Sequence, residues 1–227
     1  MSRQLADSYV KSGWLERVSS GAYKKPHEEI DWSGGLYTLQ KICNLNVHAG
    51  GLTALEINGY AHYVRKNAQQ RIILWKTPEV RLPAWFTNRE WNADLNVRSG
   101  NLFGLHVESL TKKEVNGVPV IVSAAERAIL EFLYDIPQYE SFDEAGYIME
   151  GMSSLRPSVL QALLESCRSI KVKRLFLYLA ELYSHDWFER LEVSKMDLGS
   201  GKREIVKGGK LDKKYHIVIP DLNREDR

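Results

Sequence analysis

Two hydrophobic periods divide the chain and predict an α+β protein. Residues 71–76, RIILWK, form an unbroken apolar run with the length of a buried strand. Residues 105–115 and 118–122 are predicted to pair as a hairpin, because Asn116-Gly117 between them is the strongest short turn signal for adjacent strands. Beyond residue 123, apolar residues return every three or four positions, which predicts helices. We therefore expect a mixed α/β body with a largely antiparallel sheet and a helical bundle segment.

Local start signals place four helices after this hairpin. Ser123 and Glu126 have the spacing of a capping box, and Ser141 is predicted to cap the second helix. Pro157 stands in the first turn of the third helix, where proline is tolerated. The fourth helix, at 172–183, is apolar on nearly every side and is expected to be buried.

The first 25 residues predict a helix followed by a β-hairpin. Residues 2–12 carry a short apolar edge at helical spacing. Two β-favouring runs at 14–18 and 22–25 flank the turn Ser19-Ser20-Gly21. A helix beside a basic hairpin is the arrangement of a winged helix, in which the helix enters the major groove and the hairpin, or wing, touches the DNA backbone.

Eight polar residues of this segment are candidates for DNA contacts. Two of them, Arg3 and Gln4, stand near the helix start and could read bases, since Arg pairs with guanine and Gln with adenine. The others suit phosphates and are Lys11, Arg17, Ser19, Ser20, Lys24 and Lys25. An ordinary solvated surface hairpin would have the same spacing, so both interpretations stay open at this point.

The next two segments are predicted to pack rather than to bind. Asp31 is expected to cap a helix that runs through Cys43 with its apolar residues in the core. Gly50-Gly51 precedes another helix but lacks the Lys-Ser/Thr of a phosphate loop, so we expect close packing of helix on strand with Thr53 as the cap. GSGK at 199–202 follows no apolar strand and is predicted to be a flexible hairpin loop.

The charge distribution is more informative than the net charge of +2. Residues 1–25 carry a net charge of +3, residues 119–166 a net charge of −6, and residues 195–216 a net charge of +4. Basic ends around an acidic middle indicate a local nucleic-acid footprint rather than a field over the whole molecule.

Compartment and membrane signals point to the cytoplasm. Cys43 and Cys167 both fall in helical apolar patterns and are predicted to be buried free thiols, as in a reducing cytosol. The first residues have no apolar signal segment, and no apolar run approaches the roughly 18 residues of a membrane span. We expect no membrane partner.

Catalytic templates find no match, so we predict no catalytic residue, no metal site and no cofactor. The six histidines lack zinc-site spacing, and His62 is interpreted as a structural hydrogen-bonding residue. The acidic residues of the middle are expected to spread over a solvated helical face rather than to hold metal ions; they are Glu126, Glu131, Asp135, Asp143 and Glu144.

Three ordered blocks resemble the AbiEi family, the antitoxins of type IV toxin–antitoxin systems. They are SGWLERVSSGAYKKP at 12–26, IDWSGGLYTLQK at 30–41 and VHAGGLTALEINGYAHYV at 47–64. The resemblance implies an N-terminal winged-helix domain, here 1–45, that binds operator DNA, and a C-terminal antitoxin domain, here 46–227. It also implies a functional partner, a nucleotidyltransferase toxin encoded beside the antitoxin, with direct contact between the two left open.

The amino-terminal segment fits this resemblance incompletely. Only about a dozen residues precede the wing, whereas the resemblance implies a further helix upstream. A truncated domain, a late start codon or a loss of DNA binding would each explain this. Three functions therefore remain: an antitoxin that represses its own transcription, a nuclease-like enzyme that processes nucleic acid, and a protein-interaction module that has lost DNA binding.

Overall fold

A five-stranded mixed sheet separates two helical layers in the computed structural model, which describes residues 2–19, 21–61, 70–104 and 109–221. The strands are β1 Glu16–Ser19, β2 Ala22–Lys24, β3 Val47–Ala49, β4 Arg71–Lys76, β5 Asp94–Ser99, β6 Leu110–Val115, β7 Val118–Ser123, β8 Arg203–Glu204, β9 Lys210–Asp212 and β10 Ile217–Ile219. The α-helices are α1 Arg3–Lys11, α2 Trp32–Tyr37, α3 Gly51–Ile57, α4 Ala84–Thr87, α5 Ala125–Tyr134, α6 Phe142–Glu150, α7 Pro157–Ser166 and α8 Ile170–Leu182.

The central sheet has the order β5-β4-β3-β7-β6. Pairs β3–β4 and β6–β7 are antiparallel, whereas β4–β5 and β3–β7 are parallel. The α+β class is confirmed. Turn signals predict only antiparallel neighbours, because parallel strands need a longer crossover connection, and the two parallel pairs are therefore an addition to the prediction.

The predicted hairpin at Asn116-Gly117 is present. Both residues have positive φ, 50° for Asn116 and 75° for Gly117, as a two-residue type I′ turn requires. The side chain of Asn116 donates a hydrogen bond to the Asp31 carboxylate, which ties this turn to the start of α2. Residues 105–108, the predicted beginning of the first hairpin strand, lie outside the described residues.

One face of the sheet is covered by α2 and the π-helical turn Thr38–Ile42 that continues it. The prediction that Asp31 caps this helix is confirmed, since its carboxylate accepts from Ser33 N at 3.0 Å and Gly34 N at 3.1 Å. Apolar side chains of helix, sheet and the following loop form a single cluster here, including Trp32, Leu36, Leu39, Ile72, Leu74, Phe86, Trp91, Val120 and Val122. Cys43 ends the helical segment and is exposed, so its predicted burial is wrong.

The side chain of Gln40, a residue outside the sheet, forms hydrogen bonds to two of its strands. Strands β3 and β7 share one backbone pair, Ala49 with Val122. The Gln40 carboxamide lies beside this short pairing: its nitrogen donates to Val47 O at 2.8 Å and to Ile121 O at 3.0 Å, and its oxygen accepts from Ile121 N at 2.8 Å. One side chain thus supplies the bonds that a longer strand would have made.

The opposite face carries α3 and α5, and behind them the bundle α6–α8. The start signals predicted for two of these helices are confirmed: Ser141 caps α6 and accepts from Glu144 N at 3.0 Å, and Pro157 stands in the first turn of α7. Helix α8 is buried over most of its surface, as predicted, and Cys167 before it is buried too. Burial raises the pKa of the Cys167 thiol.

The tail folds over the bundle as a small sheet of order β8-β10-β9. Its anchor is the buried Arg174, whose guanidinium donates to Leu198 O at 2.8 Å, Gly199 O at 2.9 Å and Gly201 O at 2.6 Å. The GSGK segment therefore turns carbonyl oxygens, not amide groups, toward a fixed cation. This is the opposite of the polarity that a phosphate loop presents.

The predicted capping box at the start of α5 is wrong. The N-cap is Ala124, which makes no side-chain cap bond, because Ser123 is still the last residue of β7. The Ser123 hydroxyl donates instead to Glu131, and the Glu126 carboxylate accepts three hydrogen bonds of 2.7–2.9 Å from Arg156.

The acidic middle is largely an internal layer rather than a solvated face, which corrects the prediction for three of its residues. Glu126, Glu131 and Asp135 are 3%, 0% and 4% exposed. Each is paired with an arginine, as is the buried Glu140, because a charge buried without a partner would cost several kcal/mol. The pairs are Glu126–Arg156, Glu131–Arg127, Asp135–Arg98 and Glu140–Arg71.

Glu131 contacts residues from four elements, β3, α3, β7 and its own helix α5. Its carboxylate accepts from the Ser123 hydroxyl at 2.8 Å, Arg127 Nε at 2.7 Å and Gly51 N at 3.1 Å, and it lies 3.1 Å from His48 Nε2. Burial by itself raises the pKa of this carboxyl group, but His48 and Arg127 outweigh burial and hold the pKa at about 2.

The absence of a side chain at Gly50 leaves room for the Glu131 carboxylate. A Cβ atom on Gly50 would lie 2.3 Å from the Glu131 Oε2 atom and 2.5 Å from the Trp75 ring. The predicted close packing after β3 is thus present, but Thr53 does not cap α3. Its hydroxyl accepts from Ile73 N at 2.8 Å and so bonds to β4.

Replacing Glu131 by Gln tests this network. We expect a loss of unfolding free energy on the order of 3 kcal/mol near neutral pH, since Arg127 loses its buried counter-charge and His48 loses its carboxylate neighbour. The Glu131 pKa is about 2 in the folded state against 4.5 normally, so the unfolded state binds the extra proton between these values. Stability from this group is therefore complete above pH 4.5 and lost as the pH falls toward 2.

Urea unfolding between pH 7 and pH 3 measures both effects. The acid limb of stability against pH should be shallower for Glu131→Gln than for the natural protein. The exposed Glu150→Gln variant is the matched control and should leave the limb unchanged. Equal slopes for Glu131→Gln and the natural protein would contradict the assigned network.

A second substitution, Gln40→Ala, tests the bridge between β3 and β7. It removes the Gln40 partner of one strand N–H and two strand carbonyls, and we expect a loss of about 2 kcal/mol of unfolding free energy. Gln138 is exposed, so Gln138→Ala should cost far less in the same denaturation experiment. Equal costs for the two variants would show that Gln40 does not support the sheet.

Candidate nucleic-acid interface

Helix α1 and the β1–β2 ribbon form one continuous unit at the amino terminus. Ser2 caps the start of α1, where its hydroxyl oxygen accepts from Leu5 N at 3.3 Å. Gly13 reverses the chain at φ 75°, a left-handed conformation that glycine adopts without strain. The amides of Trp14 and Leu15 then donate to Tyr9 O at 2.9 and 3.2 Å, which leads directly into β1.

The wing is a short antiparallel ribbon with a register shift near its turn. Glu16 pairs with Lys24 and Arg17 with Tyr23, so Arg17 and Lys24 lie on opposite faces of the ribbon. Arg17 forms an ion pair with Asp7 of α1 and lies 5.8 Å from the centre of the Tyr23 ring. This pair links the ribbon to the helix.

Lys24 is held more tightly than the sequence indicates. Its ammonium group lies 2.8 Å from the Glu16 carboxylate and donates to Glu28 O at 2.9 Å. Its side chain is 21% exposed. The bond from Lys24 lowers the pKa of Glu16. A phosphate that binds Lys24 would have to displace these partners.

The remaining candidates are placed as follows. Gln4, Lys11 and Lys25 are exposed. Arg3 is the first residue of α1 and Ser19 the last of β1. Ser20 lies outside the described residues. Among the candidates whose side chains are described, Arg17 and Lys24 have protein partners, whereas Gln4, Lys11 and Lys25 face solvent.

Sequence reasoning missed an exposed apolar strip on this unit. Leu5 and Tyr9 are 45% and 41% exposed, and Trp14, which was expected within the first strand, precedes that strand and is 74% exposed. The i, i+4 spacing of Leu5 and Tyr9 was visible, but it predicts an apolar edge without saying what the edge meets.

Membrane-spanning helices and metal-ligand clusters are both absent from the described ranges. No described helix is both long and apolar enough to cross a membrane. Within the same ranges, no three His, Cys, Asp or Glu side chains are grouped as ligands of a metal ion. His62, interpreted above as structural, is not among the described residues.

A likeness to one solved structure extends over nearly the whole chain. The crystal structure of the RV2827C protein from Mycobacterium tuberculosis matches with a TM-score of 0.67 at 13% sequence identity, over 96% of this chain and 80% of that one. At this identity the likeness concerns the fold alone. No curated protein matches the chain.

Family models decide the classification. The model described as AbiEi antitoxin N-terminal domain, a transcriptional regulator, matches residues 1–66. The model described as transcriptional regulator, AbiEi antitoxin, type IV toxin–antitoxin system, matches residues 69–220. The resemblance seen in the sequence is thereby confirmed, and the chain belongs to the AbiEi family of transcriptional regulators, the antitoxins of type IV toxin–antitoxin systems.

Proposed function

We propose that this protein binds operator DNA through α1 and the wing, represses its own transcription, and counteracts a nucleotidyltransferase toxin without catalysing a reaction itself. The observation that carries the proposal is a β-ribbon joined to a helix inside the segment that matches the antitoxin N-terminal domain. Such a unit places a helix and a wing on adjacent parts of a DNA duplex. Its work at operator DNA would take place in the cytoplasm.

The two proposed functions belong to different parts of the chain. Residues 1–45 would provide the DNA-binding part and residues 46–227 the antitoxin part. Helix α2 belongs to the first part and packs its apolar side chains on the sheet of the second. The wing is therefore carried by a segment that is fixed to the body.

The proposed absence of catalysis is supported by the state of the buried acids. A metal-dependent nuclease needs carboxylates that are free to bind divalent cations. Glu126, Glu131 and Asp135 are each engaged by an arginine inside the body. A metal ion would have to displace the arginine from each of these carboxylates before it could bind.

The wing and helix differ in what each can read. Lys11 and Lys25 are exposed and would neutralise phosphates. Arg17 could exchange Asp7 for a phosphate with little loss, because exposed ion pairs contribute little to stability. Gln4 near the start of α1 is placed to meet base edges if that end of the helix enters the major groove.

The double variant Lys11→Ala/Lys25→Ala tests the phosphate contacts. Binding to the DNA upstream of the protein's own gene should weaken, and the slope of log K against log salt should become shallower by about 0.9 for each phosphate that is no longer neutralised. Fluorescence anisotropy at several salt concentrations measures both. The exposed Arg190→Ala variant, which lies outside both basic end segments, is the control. If the double variant keeps the natural slope, the wing and helix do not bind phosphates.

Gln4→Ala tests base reading independently of phosphate binding. We expect a loss of roughly 1–3 kcal/mol for the natural operator and almost none for a scrambled duplex of equal length. The salt slope should stay that of the natural protein, since no cation is removed. An equal loss on both duplexes would assign Gln4 to general binding or to folding instead.

A further inference from the structure

A cleft of about 360 Å³ opens on the body where the π-helical turn after α2 meets the ends of β3 and β4. We call it the cationic cleft. Its charged lining comes from Lys41, Lys76 and Arg127, together with His48. The described residues that line it include no Asp and no Glu. Three permanent cations, with no carboxylate among the described lining residues, favour an anionic ligand.

Arg127 and His48 are oriented from behind by the same buried acid. The Glu131 carboxylate accepts a hydrogen bond from Arg127 Nε at 2.7 Å and lies 3.1 Å from His48 Nε2. Within the described part of the chain, the two terminal amino groups of Arg127 make no hydrogen bond. A guanidinium held in this way presents a planar pair of donors, the geometry that binds phosphate oxygens most strongly.

Two largely buried aromatic residues lie behind the cations, Phe103 at 4% and Trp75 at 3% exposure. The Arg127 guanidinium lies 4.9 Å from the centre of the Phe103 ring, and both residues line the cleft. Trp75 lines it as well and is 3% exposed, and its indole N–H has no acceptor among the described residues. Asn101 adds an amide that can pair with polar ring edges.

We propose that the cationic cleft binds a nucleotide, with the phosphates on Lys41, Lys76 and Arg127 and the ring near Phe103 and Trp75. Its volume lies in the range of sites for small ligands. A duplex fits less well, because His48 on its wall is only 7% exposed and a DNA backbone needs an open surface. The proposal concerns a different surface from the wing and goes beyond operator binding.

The test is titration calorimetry of the full chain with ATP, GTP, CTP and UTP in turn, and with inorganic phosphate as a reference. We expect at least one nucleotide to bind more tightly than phosphate alone. Lys41→Gln and Lys76→Gln should each weaken that binding by about tenfold, the usual effect of one charge-assisted hydrogen bond. The control Lys202→Gln, on an exposed loop far along the chain, should bind as the natural protein does.

Three results would overturn the proposal: no nucleotide binds, phosphate binds as tightly as every nucleotide, or both cleft variants bind nucleotide normally. Anisotropy with operator DNA separates the remaining alternative. If Lys41→Gln and Lys76→Gln weaken DNA binding while nucleotide fails to compete with DNA, the cleft contacts nucleic acid and not a small ligand. The wing variant Lys11→Ala/Lys25→Ala should keep nucleotide binding, so failure of the operator proposal leaves this one testable.

Discussion

The buried carboxylate of Glu131 is the constraint on which the body depends. A charge with no exposed surface must find all of its partners inside the protein. Its partners come from β3, the start of α3, the end of β7 and the preceding turn of α5. These elements must therefore reach their final positions together, and the missing side chain at Gly50 is part of the same requirement. A chain that placed any of the donors wrongly would leave a buried charge unpaired.

The pairing of buried acids with arginines also changes how the charge of the acidic middle is interpreted. Read along the sequence, residues 119–166 are strongly negative. In the structure, Asp135 and Glu140 are buried beside Arg98 and Arg71, which lie outside this segment, and Glu126 is buried beside Arg156, which lies within it. Two of the six excess negative charges are thus paired with cations from elsewhere in the chain. The surface potential of the body cannot be taken from segment sums, and local sites such as the cationic cleft emerge only when the partners are known.

How much the sequence could predict depended on the range of the interactions involved. Asp31, Ser141 and Asn116-Gly117 act on backbone groups within a few residues, and each was predicted correctly. The cap predicted at Ser123 is wrong because the Ser123 hydroxyl bonds to Glu131, which lies further along α5 and competes with the local cap. For the interface, the helix and ribbon were predictable, whereas the engagement of Lys24 by Glu28 was not, since the carbonyl it meets carries no side-chain signal. The cleft was missed because its three permanent cations, Lys41, Lys76 and Arg127, come from separate segments of the chain.

Helix α2 with its π-helical turn joins the two surfaces. Its first residues are capped by Asp31, which also holds the hairpin turn at Asn116 and follows the wing by only a few residues. Its last turn carries Gln40, which completes the sheet, and Lys41, which lines the cationic cleft. A π-helical turn is an uncommon conformation that often lies at functional sites. A ligand on Lys41 would therefore bind to the same helical segment that follows the wing, and the apolar contacts of α2 with the sheet would limit how far this helical segment could move without a cost in core packing.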